Sequence, residues 1–324
     1  MPGGHDLIDA ARCELREWTY VTDRAVDPHA FFGEFPRFVE TSETGPWLHR
    51  LNARYVALID ANRDLIRGAR VLDLASHDGR FSFAALHAGA SRVVGIEHDP
   101  RLVQKAEENL AFYGVPPAGY EFVSGDMFER VRSVEPCDVV FCFGILYHIN
   151  DHMRLLTELA ELDPRALIFD TNVSLAPGAV IELRSPLAGS PPPHGSQLEG
   201  WPTRTALEAM WSSFGWTFEF FDWPGSGLAD HPKLADYAAG RRVTAVVSSV
   251  SPAVDPDVRN RAVREVLERR RDIPTQWLTI TNVASRFGVT PQALHIWVRR
   301  AERDRGASGA SPGDLAPEGG DAVD

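Results

Sequence analysis

The sequence predicts an α/β protein, with an open, mostly parallel sheet of seven strands, helices on both faces, and a small all-α unit after it. Three observations support this fold class. Strand-like and helix-like segments alternate regularly from residue 70 to residue 170, which is typical of parallel sheets. Two more strand-like segments follow at 217–221 and 242–250, and residues 257–305 carry apolar positions at helical spacing.

The charge of the chain is unevenly distributed. The 324 residues carry a net charge of −12. Residues 256–305 contain 11 Arg and 6 acidic residues, for a net +5, and residues 306–324 contain 4 acids and no base, which leaves −13 for residues 1–255. An acidic body repels phosphates, so this distribution weakly disfavours nucleic acid as the substrate of the main domain.

The cysteines indicate a reducing compartment. Cys13, Cys137 and Cys142 form neither a CxxC pair nor an even disulfide framework, which favours a cytoplasmic setting with Cys137 and Cys142 as buried thiols. No run of about 18 apolar residues occurs, so we expect no membrane partner. The amino terminus also lacks the basic-then-apolar pattern of a signal peptide.

Residues 1–46 are predicted to form an amino-terminal cap or arm. Four phenylalanines lie close together there, namely Phe31, Phe32, Phe35 and Phe38. They either pack as a cap on the next domain or form an apolar arm over the mouth of a site. Residues 47–65 show a helical period that ends before Gly68.

Residues 70–99 read as strand, turn, helix and strand. Val71 to Leu74 suit a strand buried on both faces, and the turn from Ser76 to Gly79 precedes a helix over 80–88. A second strand over 93–96 ends at Glu97, about 20 residues after the turn. This spacing predicts a nucleoside-binding βαβ unit, in which the helix amino terminus faces the ligand and a carboxylate accepts hydrogen bonds from the ribose hydroxyls.

The next segments place further polar groups at strand ends. A helix over 100–110 leads to a strand over 120–123 that is followed by Asp126, and an apolar, central strand over 137–143 runs into Gly144 to His148. A helix over 151–162 and a strand over 166–170 follow. Because the carboxyl ends of parallel strands meet at one edge, we expect the ligand site there.

The second half of the chain contains three distinct regions. Residues 177–202 are predicted to form an extended loop or lid, with His194 and Arg204 as candidate acceptor-side residues. After a helix over 203–214, the last two strands are expected to complete the sheet in antiparallel orientation. Residues 257–305 read as helix, Gly-containing turn and helix, and residues 306–324 as a disordered tail.

These features resemble a class I S-adenosylmethionine-dependent methyltransferase, with a Rossmann-like domain over 47–250. The resemblance rests on Asp73 to Gly79, Glu97, Ser124 to Asp126, and Asp138 to Gly144. The segments LDLASHDGRFSF, FGILYHI and WPTRTALEAMW are most similar to the branch around tRNA wobble-uridine carboxymethyltransferases. In place of the family's glycine-rich first motif, this chain has Ala75 and His77, which counts against a dinucleotide with its closely approached pyrophosphate.

The resemblance implies S-adenosylmethionine as cofactor, S-adenosylhomocysteine as product and no metal. Glu97 would hold the ribose, Asp126 and Met127 the adenine, residues 75–79 the methionine end, and Phe143 with Gly144 the surroundings of the sulfonium. The complete set implied for the cofactor comprises Asp73, Ala75, Ser76, His77, Gly79, Phe81, Glu97, His98, Asp126, Met127, Phe143 and Gly144. Asp73 has a structural alternative, because it can order the turn by hydrogen bonds.

The candidate catalytic residues are His148 and Tyr147, which follow the fourth strand. A histidine titrates near neutral pH and can serve as the base for a hydroxyl acceptor. It can equally cap the next turn. In the carboxymethylating relatives, a tyrosine at the position of Tyr147 helps to hold a carboxylated cofactor.

The segment VASRFGVTPQALHIWVRRAERDRG resembles the helix-turn-helix of insertion-element transposases. Gln292, His295, Arg299 and Arg300 are expected on the exposed side of its second helix, where a recognition helix contacts nucleic acid. The alternative is a helical accessory or oligomerisation unit.

Three functions remain open from the sequence. The first is a methyltransferase of EC class 2.1.1 that methylates a small molecule at oxygen. The second is a tRNA-modifying methyl- or carboxymethyltransferase. The third is a DNA-binding regulator with a degenerate methyltransferase body. The sequence does not indicate the oligomeric state.

Overall fold

The computed structural model describes residues 27–42, 47–186, 198–248, 255–269 and 276–308. The chain divides into two compact units, of which the larger comprises residues 1–212 and 216–250, and the other residues 213–215 and 251–324. Within the described ranges, no helix combines the length and apolar character that crossing a membrane requires.

The larger unit is built on a seven-stranded sheet. Its strands are β1 Arg70–Leu74, β2 Arg92–Glu97, β3 Tyr120–Ser124, β4 Val139–Phe143, β5 Ala166–Asn172, β8 Thr217–Phe220 and β9 Arg242–Ser248, with β6 Ile181–Arg184 and β7 Glu199–Pro202 in a separate pair. The order across the seven-stranded sheet is β3-β2-β1-β4-β5-β9-β8. Strands β1 to β5 are parallel, whereas β9 pairs antiparallel with both β5 and β8. The predicted Rossmann-like sheet, with its antiparallel last pair, is therefore confirmed.

Helices cover the sheet. The longer ones are α1 Leu48–Leu58, α2 Arg80–His87, α3 Pro100–Phe112, α4 His152–Glu161 and α5 Arg204–Ser213, and single helical turns lie at Phe31–Glu34, Arg37–Glu40, Arg63–Ile66, Met127–Arg130 and Ala235–Ala238. Short 3₁₀ segments lie at Pro28–Ala30, Asp60–Asn62, Pro117–Gly119, Val131–Ser133, Leu146–His148, Leu228–Asp230 and Pro232–Leu234. Asp99 caps α3 through the Arg101 N–H at 2.9 Å, and Thr203 caps α5 through the Ala206 N–H at 3.1 Å.

The single helix predicted over 47–65 is interrupted. The Asn62 side-chain amide donates to the carbonyls of Ala57 at 3.2 Å and Leu58 at 3.0 Å. These are carbonyls that the next helical turn would otherwise use, so α1 ends at Leu58. A 3₁₀ turn and a single α-helical turn then lead into β1.

The amino-terminal phenylalanines belong to the core. Phe31, Phe32 and Phe38 are fully buried, and Phe31 stacks on Tyr55 with ring centroids 3.9 Å apart. Phe35 contacts the ring of Phe83 on α2 at 4.8 Å. For residues 27–42 the structure therefore supports the packed cap and not an arm over a site. Cys137 and Cys142 are buried free thiols, as predicted.

The region predicted as a loop over 177–202 contains a two-stranded sheet. Strand β6 pairs antiparallel with β7, with Glu182 opposite Trp201 and Arg184 opposite Glu199. The many Pro, Gly and Ser residues between the strands concealed this pairing, because they interrupt the alternation that identifies a hairpin. The predicted acceptor-side residue His194 lies outside the described residues.

In its described residues, the carboxyl-terminal unit has three helices, α6 Pro256–Arg269, α7 Gln276–Phe287 and α8 Pro291–Ser308. They share an apolar core that includes Val266, Ile280 and Leu294. Gly288, at φ +66°, ends α7 in the predicted turn. Residues 306–308 continue α8 and so differ from the predicted disorder, and residues 309–324 lie outside the described ranges.

Candidate active site

A cleft of about 690 Å³ opens at the carboxyl ends of β1, β2 and β4. Of the residues predicted to bind the cofactor or to act in catalysis, all except Gly79 and Asp126 line it, namely Asp73, Ala75, Ser76, His77, Phe81, Glu97, His98, Met127, Phe143, Gly144, Tyr147 and His148. The cleft is also lined by Arg50, Arg54, Arg80, Ile96, Asp99, Pro100, Leu102, Gly125, Ile145 and Arg242. The topology thus brings together residues from separate motifs, as parallel strands predict.

The turn after β1 keeps a left-handed backbone at two positions that carry side chains. Ala75 and His77 have φ values of +54° and +53°, in the left-handed region that costs residues with side chains about 1 kcal/mol or more. These are the positions where the resemblance implies glycines. The backbone path of the motif is therefore preserved, at the expense of local strain.

Glu97 ties this turn to the end of β2. Its Oε2 accepts a hydrogen bond from the His77 N–H at 2.9 Å, and its Oε1 accepts one from the Asp99 N–H at 3.1 Å. The side chain is largely buried yet borders the cleft. A carboxylate oxygen can accept more than one hydrogen bond, so both oxygens keep acceptor capacity for a diol.

Asp73 is buried beneath the turn. Its Oδ2 accepts a hydrogen bond from the Ser82 hydroxyl at 2.6 Å. Burial raises the pKa of Asp73 to about 7, with Glu97 and Asp78 adding to the rise and Ser82 and Arg54 opposing it. The hydrogen bond from Ser82 links β1 to α2, which supports the alternative that Asp73 orders the turn as a structural residue. Asp73 also borders the cleft.

Asp78 and Arg80 form a buried ion pair in the same turn. Arg80 Nε and Nη2 donate to the two Asp78 carboxylate oxygens at 2.6 and 2.7 Å. Burial alone would raise the pKa of Asp78, but the charges and hydrogen bonds of Arg80 and His77 lower it to about 2. This pair fixes the start of α2, next to the cleft.

Gly79 is not among the residues that line the cleft, and its cofactor contact stays a prediction. A side chain there would meet Ala106 and Leu110 of α3 at 3.0 Å, and its φ is +77°. Gly79 is therefore required for helix packing and for the left-handed turn. Asp126 caps the helical turn Met127–Arg130 by accepting from the Phe128 N–H at 2.8 Å, and Met127 reaches the cleft.

At the end of β4, Tyr147 and His148 lie in the short 3₁₀ segment Leu146–His148. Their rings are 4.0 Å apart. The Nδ1 atom of His148 lies 3.0 Å from Oε1 of Glu199 on β7, and the Trp201 indole N–H donates to Glu199 Oε2 at 2.8 Å. Sequence reasoning missed Glu199 because it lies 51 residues from His148 in an irregular region.

A buried charge cluster borders the same cleft and was also missed. Asp170, at the end of β5, contacts the guanidinium groups of Arg242 and Arg54, the latter at 3.3 Å, and accepts a hydrogen bond from the Tyr237 hydroxyl at 2.6 Å. Burial would raise the pKa of Asp170, but these partners, Arg242 foremost, lower it. Two guanidinium groups share one carboxylate, so the cluster is net positive.

Arg204 does not belong to the site. It lies on α5, forms an ion pair with Glu208 at 3.3 Å and stacks over Phe220 at 3.8 Å. Among the residues that the structure describes, no group of three or more His, Cys, Asp or Glu side chains is placed to hold a metal ion.

Parts of the chain are similar to known proteins. Residues 71–162 match a family model described as a methyltransferase domain. A ribosomal RNA large subunit methyltransferase K/L from Shewanella baltica is 30% identical over 145 residues, which is 40% of this chain and 20% of that protein. A solved S-adenosylmethionine-dependent methyltransferase from Mesorhizobium loti is 18% identical, with a TM-score of 0.43 over 60% of this chain and 97% of that chain.

Another part of the chain has a different relative. An uncharacterized 12 kDa protein of the insertion element IS629 from Shigella sonnei is 49% identical over 51 residues, which is 16% of this chain and 47% of that protein. The chain thus spans about half or less of the length of these curated relatives. The match over residues 71–162 and the observed strand order together give the larger unit the fold of a class I S-adenosylmethionine-dependent methyltransferase.

Proposed function

We propose that the cleft binds S-adenosylmethionine and that the chain is a methyltransferase of EC class 2.1.1. The observation that carries this proposal is the position of Glu97 at the end of β2. Its carboxylate is oriented by two backbone N–H groups and borders a cleft of about 690 Å³. An oriented carboxylate at this strand end suits the two hydroxyls of a ribose.

The remaining roles follow from the lining of the cleft. Residues 75–77 would contact the methionine end, Met127 the adenine, and Phe143 with Gly144 the region of the sulfonium. Phe81 and His98 complete the walls of the cofactor half. When bound, S-adenosylmethionine supplies a methyl group on a positively charged sulfur, and S-adenosylhomocysteine is the product.

For the acceptor we propose a small molecule that is methylated at oxygen. His148 would act as the general base, and it lines the cleft together with Tyr147. The net charge of −13 over residues 1–255 supports a small acceptor over a polyanion. A reducing, cytoplasmic setting remains part of this proposal, in line with the buried free thiols.

Native mass spectrometry of the purified protein tests this function. We expect a mass increase that matches S-adenosylmethionine or S-adenosylhomocysteine, and a co-purified acceptor would identify the substrate. The proposal fails if no nucleoside co-purifies and none binds when it is added in excess.

A second candidate is carboxymethyl transfer to a tRNA wobble uridine. The net positive cluster of Arg54, Arg242 and Asp170 favours it, because the Arg242 guanidinium lies 5.9 Å from the Tyr147 ring. Positive charge beside Tyr147 suits a cofactor that carries a carboxylate. Under this alternative, Tyr147→Phe weakens binding of carboxylated S-adenosylmethionine in calorimetry and leaves S-adenosylmethionine itself unaffected.

An RNA acceptor is also supported by the name of the Shewanella relative. The carboxyl-terminal unit would then supply the nucleic-acid contact, through the exposed Arg299 and the half-buried Gln292, His295 and Arg300 of α8. The third function, a DNA-binding regulator, would use the same face but requires no methyl transfer.

A further inference from the structure

The β6–β7 pair presents polar and aromatic side chains on one face. Because Glu182 lies opposite Trp201 and Arg184 opposite Glu199, all four side chains project from the same side of the two-stranded sheet. Trp201 approaches Tyr147 with ring centroids 5.4 Å apart. This face therefore meets the segment that carries Tyr147 and His148.

Glu199 is held on both of its carboxylate oxygens. Oε1 lies 3.0 Å from His148 Nδ1, and Oε2 accepts the indole N–H of Trp201 at 2.8 Å. The Glu199 side chain is 12% exposed and the His148 side chain 28% exposed. The contact between Glu199 and His148 is therefore shielded from solvent more than a surface ion pair is. The lower local dielectric strengthens its hydrogen bond.

A chain of contacts holds Trp201 in turn. The Arg184 guanidinium lies 4.1 Å from the Trp201 ring centroid and donates to Glu182 at 2.8 and 3.0 Å. Glu182 also accepts the Ser174 hydroxyl at 2.6 Å. These interactions restrict the rotamers of Glu199 before any ligand binds, which is the property of a preorganised positioning group.

We infer that Glu199 is a positioning residue that orients the His148 imidazole as the general base for a hydroxyl acceptor. The inference rests on the proposed methyltransferase function. A carboxylate can only accept hydrogen bonds, so the contact fixes the proton on Nδ1 and leaves the lone pair on Nε2. The negative charge also stabilises the imidazolium that forms when Nε2 takes a proton.

In the methyl transfer, the acceptor hydroxyl loses its proton as its oxygen gains the methyl group. Nε2 of His148 accepts the proton of the acceptor hydroxyl while the hydroxyl oxygen forms a bond to the methyl carbon. The bond between that carbon and the sulfonium sulfur breaks, and its electron pair remains on sulfur. The products are a methyl ether, S-adenosylhomocysteine and a protonated His148 beside the ionised Glu199, which later releases its proton to solvent.

Other charged or titratable groups face this pair. Tyr147 is adjacent, and Arg242 of β9 approaches the Tyr147 ring. A positive guanidinium opposes protonation of His148, whereas Glu199 favours it. The test must therefore change Glu199 alone and leave Arg242 and Tyr147 in place.

NMR titration of the His148 ring in the full chain tests the inference without any acceptor. In Glu199→Gln, the loss of a carboxylate at 3.0 Å should lower the pKa of His148 by about one unit or more. In Glu199→Ala, the nitrogen shifts of the neutral ring should move toward the Nε2–H tautomer that free histidine prefers. The resonance is assigned by its absence in His148→Gln.

Glu208→Gln is the control, because it removes the same charge from a glutamate of α5 that forms an ion pair with Arg204 at 3.3 Å. It should leave the pKa and the tautomer of His148 unchanged. An unchanged pKa in Glu199→Gln, or an equal change in the control, overturns the inference. Calorimetry with S-adenosylmethionine on the same wild-type sample reports on the proposed function separately, so the two failures are distinguishable.

Discussion

Glu97 Oε2 accepts the backbone N–H of His77 at 2.9 Å and thereby connects the end of β2 to the turn after β1. His77 adopts a φ of +53° at this contact. The hydrogen bond offsets part of the cost of a left-handed backbone in a residue with a side chain. One carboxylate therefore both shapes the turn and borders the cleft.

The left-handed backbone of the turn predicts different effects on stability for two small substitutions. Gly79→Ala should lower the free energy of unfolding by about 2 kcal/mol, because its Cβ would lie 3.0 Å from Ala106 and Leu110 at a φ of +77°. Ala75→Gly should cause no comparable loss, because it relieves a left-handed φ. Urea denaturation of both variants measures the difference, and equal losses would refute this account of the turn.

Asp73 should make stability fall as pH rises. Its pKa is about 7 in the folded state and near 4 when unfolded, so between pH 4 and 7 only the folded state holds the proton. The contribution of protonated Asp73 to the free energy of unfolding is complete below pH 4 and is lost as the pH approaches 7. In Asp73→Asn, denaturant midpoints should change less over this range than in wild type. The exposed Asp64→Asn variant should retain the wild-type slope, and a wild-type slope in Asp73→Asn would exclude this explanation.

The Asp78–Arg80 pair should act in the opposite pH direction. The pKa of Asp78 is about 2 in the folded state, so its contribution is present above about pH 4 and is lost as pH falls toward 2. Arg80→Gln leaves a fully buried carboxylate without its ion-pair partner and should cost about 3 kcal/mol at pH 7. Measuring the free energy of unfolding of wild type and Arg80→Gln as a function of acid pH checks both expectations. A loss below about 0.5 kcal/mol in Arg80→Gln at pH 7 would contradict them.

The carboxyl-terminal unit predicts a salt-dependent nucleic-acid contact if α8 is a recognition helix. Arg299 is exposed on α8. Arg299→Ala should weaken binding of tRNA or duplex DNA and reduce the slope of log K against log salt by about 1. Arg204→Ala, on α5 of the larger unit, serves as the control. Absence of binding by the wild type at low salt would favour the accessory or oligomerisation alternative.

Sequence reasoning identified cleft residues in or just after the strands better than cleft residues from distant segments. Asp73 lies within the apolar strand β1, Glu97 ends β2 and Tyr147 follows β4, so local pattern and sheet geometry were sufficient to bring them together. Glu199, Arg54 and Arg242 come from distant segments, and no local period marks which of their side chains meet. The break in α1 depends on one amide, Asn62, that bonds backwards to two carbonyls.

The most direct test of the central claim is calorimetry of S-adenosylmethionine binding to wild type and to Glu97→Ala. Loss of the hydrogen bonds from the ribose hydroxyls to a carboxylate should raise the Kd at least tenfold, since such bonds contribute about 1.5–3 kcal/mol. The control is Glu121→Ala, an exposed glutamate of β3 that forms an ion pair with Arg92, and it should bind as wild type does. Equal affinity of Glu97→Ala and wild type would contradict the account.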